Sequence, residues 1–248
     1  FLVGCTNQNV SETVERTPAT VTPISNINLD KIIDNCETQL NISVPKLTDL
    51  SKHPRLIETD ETEWKEVPNG RLVWTSGFYP GILWYMYDLT KDEKWKKEAI
   101  KRTEVFEDFK TITEHHDIGF MMFPAYGLGY KLGDMKNYKD VLLTSAASLA
   151  TRYNPKVGTI RSWSTKMHPR WQQHLTIIDN MMNLELLFWA SKNGGSPVYK
   201  DIAIKHVPID VLYQGEERIS HFRPTMDFLR ITGLNTVLVL LAALWYRP

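Results

Sequence analysis

The sequence predicts an all-α fold, a toroid built from helical hairpins, and two observations carry that prediction. An apolar run, a short polar turn and an aromatic-lysine pair opening a second run recur three times along the chain. In each recurrence the first run is almost wholly apolar and the second amphipathic, so first helices belong on an inner wall and second helices face water. At 248 residues, 42% of them hydrophobic, the chain has ample material for a core.

Residues 1–26 stand apart from the domain expected over 27–248. Leu2-Val3-Gly4-Cys5 reads as a bacterial lipobox with Cys5 as the lipidated residue, and the polar stretch 6–26 as a tether from membrane to domain. A disordered terminus with no such role is the alternative. On the lipobox reading the protein is lipid-anchored or periplasmic in a bacterial cell envelope, and meets the membrane through that anchor alone. Residues 27–40 carry Leu29, Ile32, Ile33, Cys36 and Leu40 at helical spacing and stop before Pro45. Residues 44–75, with Pro45, Pro54, Pro68 and Asn69-Gly70, read as irregular. The hairpins then run 81–90 into 95–100, 126–132 into 138–143, and 184–190 into 199–204. No strand precedes Gly127, Gly129 and Gly133, so they read as close helix packing rather than a nucleotide-binding loop.

Charge and cysteine content narrow the function. Lys and Arg balance Asp and Glu at 29 each, which leaves no electrostatic footprint for nucleic acid or a polyanion. Two cysteines, Cys5 and Cys36, cannot build a disulfide framework. No Gly-x-Ser-x-Gly elbow is present, which argues against serine hydrolase chemistry.

Two aspartates sit among residues that favour burial. Asp117 lies in His115-His116-Asp117-Ile118-Gly119-Phe120, and Asp179 in Ile177-Ile178-Asp179-Asn180-Met181-Met182-Asn183-Leu184. Burial raises the pKa of such a carboxylate unless a partner or hydrogen bonds compensate. The residue either caps a helix or holds a loop, or is an acid/base group, and the presence of two favours the acid/base role, with one of them holding its proton at neutral pH. In a toroid the segments leading into inner helices converge on one mouth, so both can reach one cleft. His115-His116-Asp117 also offers metal-ligand types, but consecutive helical residues point apart and no His-x-x-x-His partner accompanies them. Neither metal nor cofactor is therefore expected. Trp64, Trp74, Trp163 and Trp171 fall at loop-like positions, where rings either stack on sugars or pack in a core.

Four blocks carry a family resemblance: Trp74-Thr75-Ser76-Gly77-Phe78-Tyr79-Pro80-Gly81, the double-histidine block around Asp117, Ile160-Arg161-Ser162-Trp163, and the block around Asp179. In order and spacing, over about residues 28–206, the chain resembles the unsaturated glucuronyl hydrolases of glycoside hydrolase family 88 and their rhamnogalacturonyl cousins. The resemblance implies an (α/α)6 barrel acting on unsaturated uronic acid oligosaccharides released by polysaccharide lyases. It implies that Asp179 protonates C4 of the C4=C5 vinyl ether and then helps water attack C5, that Asp117 orients substrate and tunes Asp179, and that Trp74, Trp163 and His116 shape the sugar site. Arg161, Lys166 and Arg170 are either anion contacts or scattered surface cations.

From about Val207 the resemblance ends. The Ser, Trp, Arg, Gly and Gln motif that completes the family's site is absent, and residues 208–248 read as atypical. The run 236–245 is too short to span a bilayer. The expectation is an incomplete barrel of low activity. A glycan-binding module without turnover and a helical scaffold with structural aspartates are the competing functions.

Overall fold

A computed structural model describes residues 28–59, 61–163 and 174–212, the last five as backbone. Helix α1 (Leu29–Ser43) starts where Asn28 Oδ1 accepts the Lys31 N–H at 2.9 Å, which closes its first turn. It buries Cys36 and Leu40, two of the residues whose spacing predicted it.

The stretch 44–75 is not wholly irregular. Strand β1 (Lys52–Leu56) pairs antiparallel with β2 (Lys65–Pro68), His53 opposite Val67. Pro54 and a register shift between Pro54 and Leu56 hide the alternation that marks a strand in sequence. The small sheet anchors a turn at the mouth of the inner helices. Buried His53 reaches Asn69 Oδ1 at 2.9 Å and Thr75 Oγ1 at 2.7 Å, and so ties the sheet to the 3-10 turn Trp74–Gly77.

Three helical hairpins come next. The first joins α2 (Phe78–Thr90) to α3 (Glu93–Glu104). The second has an inner run of α4 (Ile118–Met122), a π-helical turn Phe123–Gly127 and α5 (Leu128–Leu132), and returns along α6 (Lys139–Ala150). A two-residue ladder, β3 (Tyr153–Asn154) with β4 (Thr159–Ile160), leads towards the third hairpin, α7 (Leu184–Lys192) and α8 (Val198–Leu212). Each hairpin turn has a left-handed residue, Lys91 at φ 57°, Asp134 at φ 56° and Gly194 at φ 98°. All three hairpins stand where the sequence pattern put them.

The second inner run begins eight residues earlier than its periodicity suggested. Residues 118–129 are buried without interruption, so no exposed face marks a helical period. Pro124 reads as a breaker in sequence. The π-helical turn accommodates it, because proline has no N–H to place in the ladder.

The inner and outer division holds in the core. Helix α3 buries Trp95, Ala99, Arg102 and Thr103, with Glu98 paired to Arg102, and exposes Glu93, Lys94, Lys97, Lys101 and Glu104, whereas α2 buries Tyr79, Leu83, Trp84 and Met86. Trp84 is fully buried, and its Nε1–H donates to Thr103 Oγ1 at 3.1 Å. A Cβ on Gly133 would lie 2.3 Å from the Trp84 ring, so α5 reaches α2 only because that side chain is missing. The glycines thus serve close packing, as their sequence context implied. Among the described residues no helix is long and apolar enough to cross a membrane.

Candidate active site

Three backbone segments far apart in sequence meet at one end of the inner helices. Segment 113–117 leads into α4, segment 160–163 continues β4, and segment 175–183 leads into α7. His116 N–H donates to Ser162 O at 3.0 Å, and Ser162 N–H donates to Leu175 O at 2.7 Å. Side chains complete the junction. Ser162 Oγ accepts the Ile177 N–H at 3.0 Å, and Asn180 Nδ2 contacts that Oγ and Ile160 O, both at 3.1 Å. Asn183 Nδ2 donates to Asn180 Oδ1 at 3.0 Å, while its own Oδ1 accepts the Phe120 N–H at 3.2 Å. Ser162, Asn180 and Asn183 are all fully buried, and these bonds offset the cost of removing them from water.

Gly119 permits the closest approach. A Cβ there would lie 2.3 Å from Asn183 Oδ1 and 2.6 Å from its Cα, closer than atoms can pack. The start of α4 therefore lies directly on the 3-10 turn Ile178–Asn183. That contact brings Asp117 and Asp179 into one site.

His116 stands between the two carboxylates. Its Nε2 is 2.8 Å from Asp117 Oδ1 and 3.7 Å from Asp179 Oδ1. The nearer contact is off the line of a hydrogen bond. Exposure separates the aspartates: the Asp117 side chain is 11% exposed and that of Asp179 32%. Asp179 is the more exposed carboxylate.

His115 has a different task. Its Nε2 contacts Arg71 O, and its Nδ1 accepts the Asp117 N–H at 3.1 Å, so its bonds hold the backbone of Asp117 in place. Burial pushes the Asp117 carboxyl up, but the His115 and His116 imidazoles outweigh burial and hold it down at about 2. At Asp117 the compensating partners that the sequence argument allowed for outweigh burial. Asp117 is ionised at neutral pH because the imidazoles of its two sequence neighbours contact its carboxyl.

The aromatic residues lie around this pair. Trp163 meets the His116 ring edge to face at 5.5 Å, and an isolated β-bridge joins Trp163 to His115. Trp74, 44% exposed, stands 6.2 Å from Phe120, whose ring is 6.1 Å from His116. The 3-10 turn carrying Trp74 rests on α4 at Gly77, where a Cβ would meet Met121 O at 1.9 Å. Trp64 is half-buried and packs against the core instead. Cys5, Lys166, Arg170 and Trp171 lie outside the described residues.

Donor atoms of His116, Asp117 and Asp179 lie within 4.8 Å of one another. Contrary to the helical expectation, adjacent side chains converge here, since His116 and Asp117 precede the helix rather than lie within it. The triad could hold a divalent cation as well as a proton. An open hollow lined by Arg152, Asn154, Arg161 and His174 among others is separate from the carboxylate pair.

The sequence named both aspartates, His116, Trp74 and Trp163, and the structure brings all five into one neighbourhood. It did not single out Ser162, Asn180, Asn183 or Gly119 as supports. The available signal was Asn180 and Asn183, two amides three positions apart within an otherwise apolar run.

Comparison with protein-family models gives no match. Among curated proteins, an unsaturated glucuronyl hydrolase of Formosa agariphila is 41% identical over 165 residues, 66% of this chain and 39% of that protein. An unsaturated chondroitin disaccharide hydrolase of Streptococcus agalactiae is 28% identical over 187 residues, 74% of this chain and 45% of that protein. The crystal structure of an unsaturated glucuronyl hydrolase specific for heparin matches 79% of this chain and 49% of its own, with TM-score 0.65 and 34% identity. The chain therefore spans less than half the length of these relatives. Over that span it is homologous to unsaturated glucuronyl hydrolases and shares the helical arrangement of their (α/α)6 barrel.

Proposed function

We propose, from this homology to unsaturated glucuronyl hydrolases, that the chain carries the acid/base half of a glycosidase acting on unsaturated uronic acid oligosaccharides. The observation that supports this best is the carboxylate pair about His116, one member ionised and enclosed, the other more exposed. An ionised Asp117 cannot donate a proton, so the donor's part falls to Asp179. Asp179 adds that proton to C4 of the C4=C5 vinyl ether, and water deprotonated by the resulting carboxylate attacks C5. The hemiketal then collapses and releases the sugar, so the reaction is hydration of an alkene rather than displacement between two carboxylates at the anomeric carbon. Trp74 and Trp163 offer ring surfaces for the saccharide.

The names of the relatives point to glycosaminoglycan fragments, heparin or chondroitin disaccharides, as substrates to try first. On the sequence of residues 1–26 alone, we assign Cys5 as a lipid anchor holding the protein in a bacterial envelope. Metabolic labelling with a fatty acid, lost in Cys5→Ala, checks that assignment.

The test of function is loss of ultraviolet absorbance when the full chain meets an unsaturated chondroitin or heparin disaccharide. Asp179→Asn should lower turnover by about 10²–10⁴-fold while affinity stays within a few-fold. Binding without turnover in the unsubstituted chain would replace the hydrolase reading with a glycan-binding one. Absence of both would remove the saccharide altogether.

A further inference from the structure

Arg152 takes no part in the acid/base chemistry, yet its guanidinium is directed at the backbone of two of the three segments that build the site. Its Nε–H donates to Arg161 O at 2.7 Å, and its Nη2 to Ser162 O at 3.2 Å. Its Nη1 donates to Thr113 O on the segment that continues through His115 and His116 to Asp117. Ser162 O also receives the His116 N–H, so one carbonyl holds both the clamp and the histidine between the carboxylates. The backbone of Arg152 adds to this, because its carbonyl accepts the Arg161 N–H at 3.0 Å beyond the β3–β4 ladder.

A partly buried guanidinium would ordinarily be matched with a carboxylate. This one is matched mainly with carbonyl dipoles: burial, then the charge of Arg161, pulls its pKa down to about 10, against a smaller upward pull from Asp117 and Glu114. Retention of a charge in that setting fits the fork geometry of guanidinium, whose donors diverge towards two strands at once; an ammonium is a single point and cannot span them.

We propose that Arg152 is a positioning residue, a clamp that sets the spacing of the His116–Asp117 segment against Trp163 and, through Ser162, against Asp179. Its relevance to turnover rests on the hydrolase reading above. Its effect on geometry does not.

Arg152→Lys in the full chain tests both parts. The variant should keep the helical circular dichroism of the parent. In ¹H–¹³C spectra of histidine-labelled protein, the His116 ring-proton resonances, which the Trp163 ring 5.5 Å away should shift, should move towards unshifted values. On unsaturated chondroitin disaccharide, kcat should fall about tenfold to a hundredfold with KM changed far less, as expected when reacting groups are displaced by about 1 Å. Retained His116 shifts and retained kcat would overturn the proposal, as would collapse of the helical signal, which would mark Arg152 as structural only. An inactive parent whose His116 shifts are nonetheless lost in the variant would uphold the clamp and sink the hydrolase reading.

Discussion

The hairpin core around Trp84 and the polar junction around Ser162 are both buried, but they are held together by different physics. In the core, Trp84, Tyr126, Tyr138 and Leu142 exclude water by volume and shape, with Trp84 making one side-chain hydrogen bond, to Thr103. In the junction, Ser162, Asn180 and Asn183 are just as buried, yet each is placed by directed bonds to a named backbone group. Apolar packing tolerates small displacements, whereas a hydrogen bond specifies a distance and an angle. A site that must set two carboxylates about one imidazole therefore rests on the second kind of contact.

The largest test of this contrast is Trp84→Ala. Emptying that site should cost about 3–5 kcal/mol in denaturant unfolding, while on the proposed function the folded fraction keeps its saccharide affinity. Asn183→Ala removes the acceptor of the Phe120 N–H and the partner of Asn180, a loss of about 3 kcal/mol from two buried groups left unsatisfied. Despite the smaller cost in stability, saccharide binding and turnover should suffer more than in Trp84→Ala. The reverse order would erase the distinction between the two regions.

The smallest effect depends on pH. The Asp117 carboxyl is depressed from 3.8 to about 2 in the fold. Its contribution is present above the unfolded value and disappears as pH falls through the folded one. The shift corresponds to about 2 kcal/mol at neutral pH. The difference in urea midpoint between the parent and Asp117→Asn should be constant above about pH 5 and close between about pH 4 and pH 2. A difference that persists at the acid end of that range would mean that the imidazoles do not hold the carboxylate.

Legibility in the sequence followed the same division. The hairpins at Lys91, Asp134 and Gly194 were visible because each alternates apolar and amphipathic runs around a turn. The β1–β2 hairpin was missed, since Pro54 and a register shift break its alternation. The early start of α4 was missed because a run buried on every side shows no period. At the site, the aspartates were conspicuous as charges among apolar residues, but the sign of the Asp117 shift was left open. Burial was visible in its neighbours; the direction in which His115 and His116 point was not.

The helical hairpins and the identity of the two carboxylates were written in the chain itself, because amphipathic period, turn residues and a charge in an apolar run are properties of adjacent residues. Folding alone made Asp117 and Asp179 share His116, and set which of them is enclosed. The bond from Phe120 N–H to Asn183 spans 63 positions. A hydrogen bond over that separation is set by where packed helices leave their ends, and no local pattern records it.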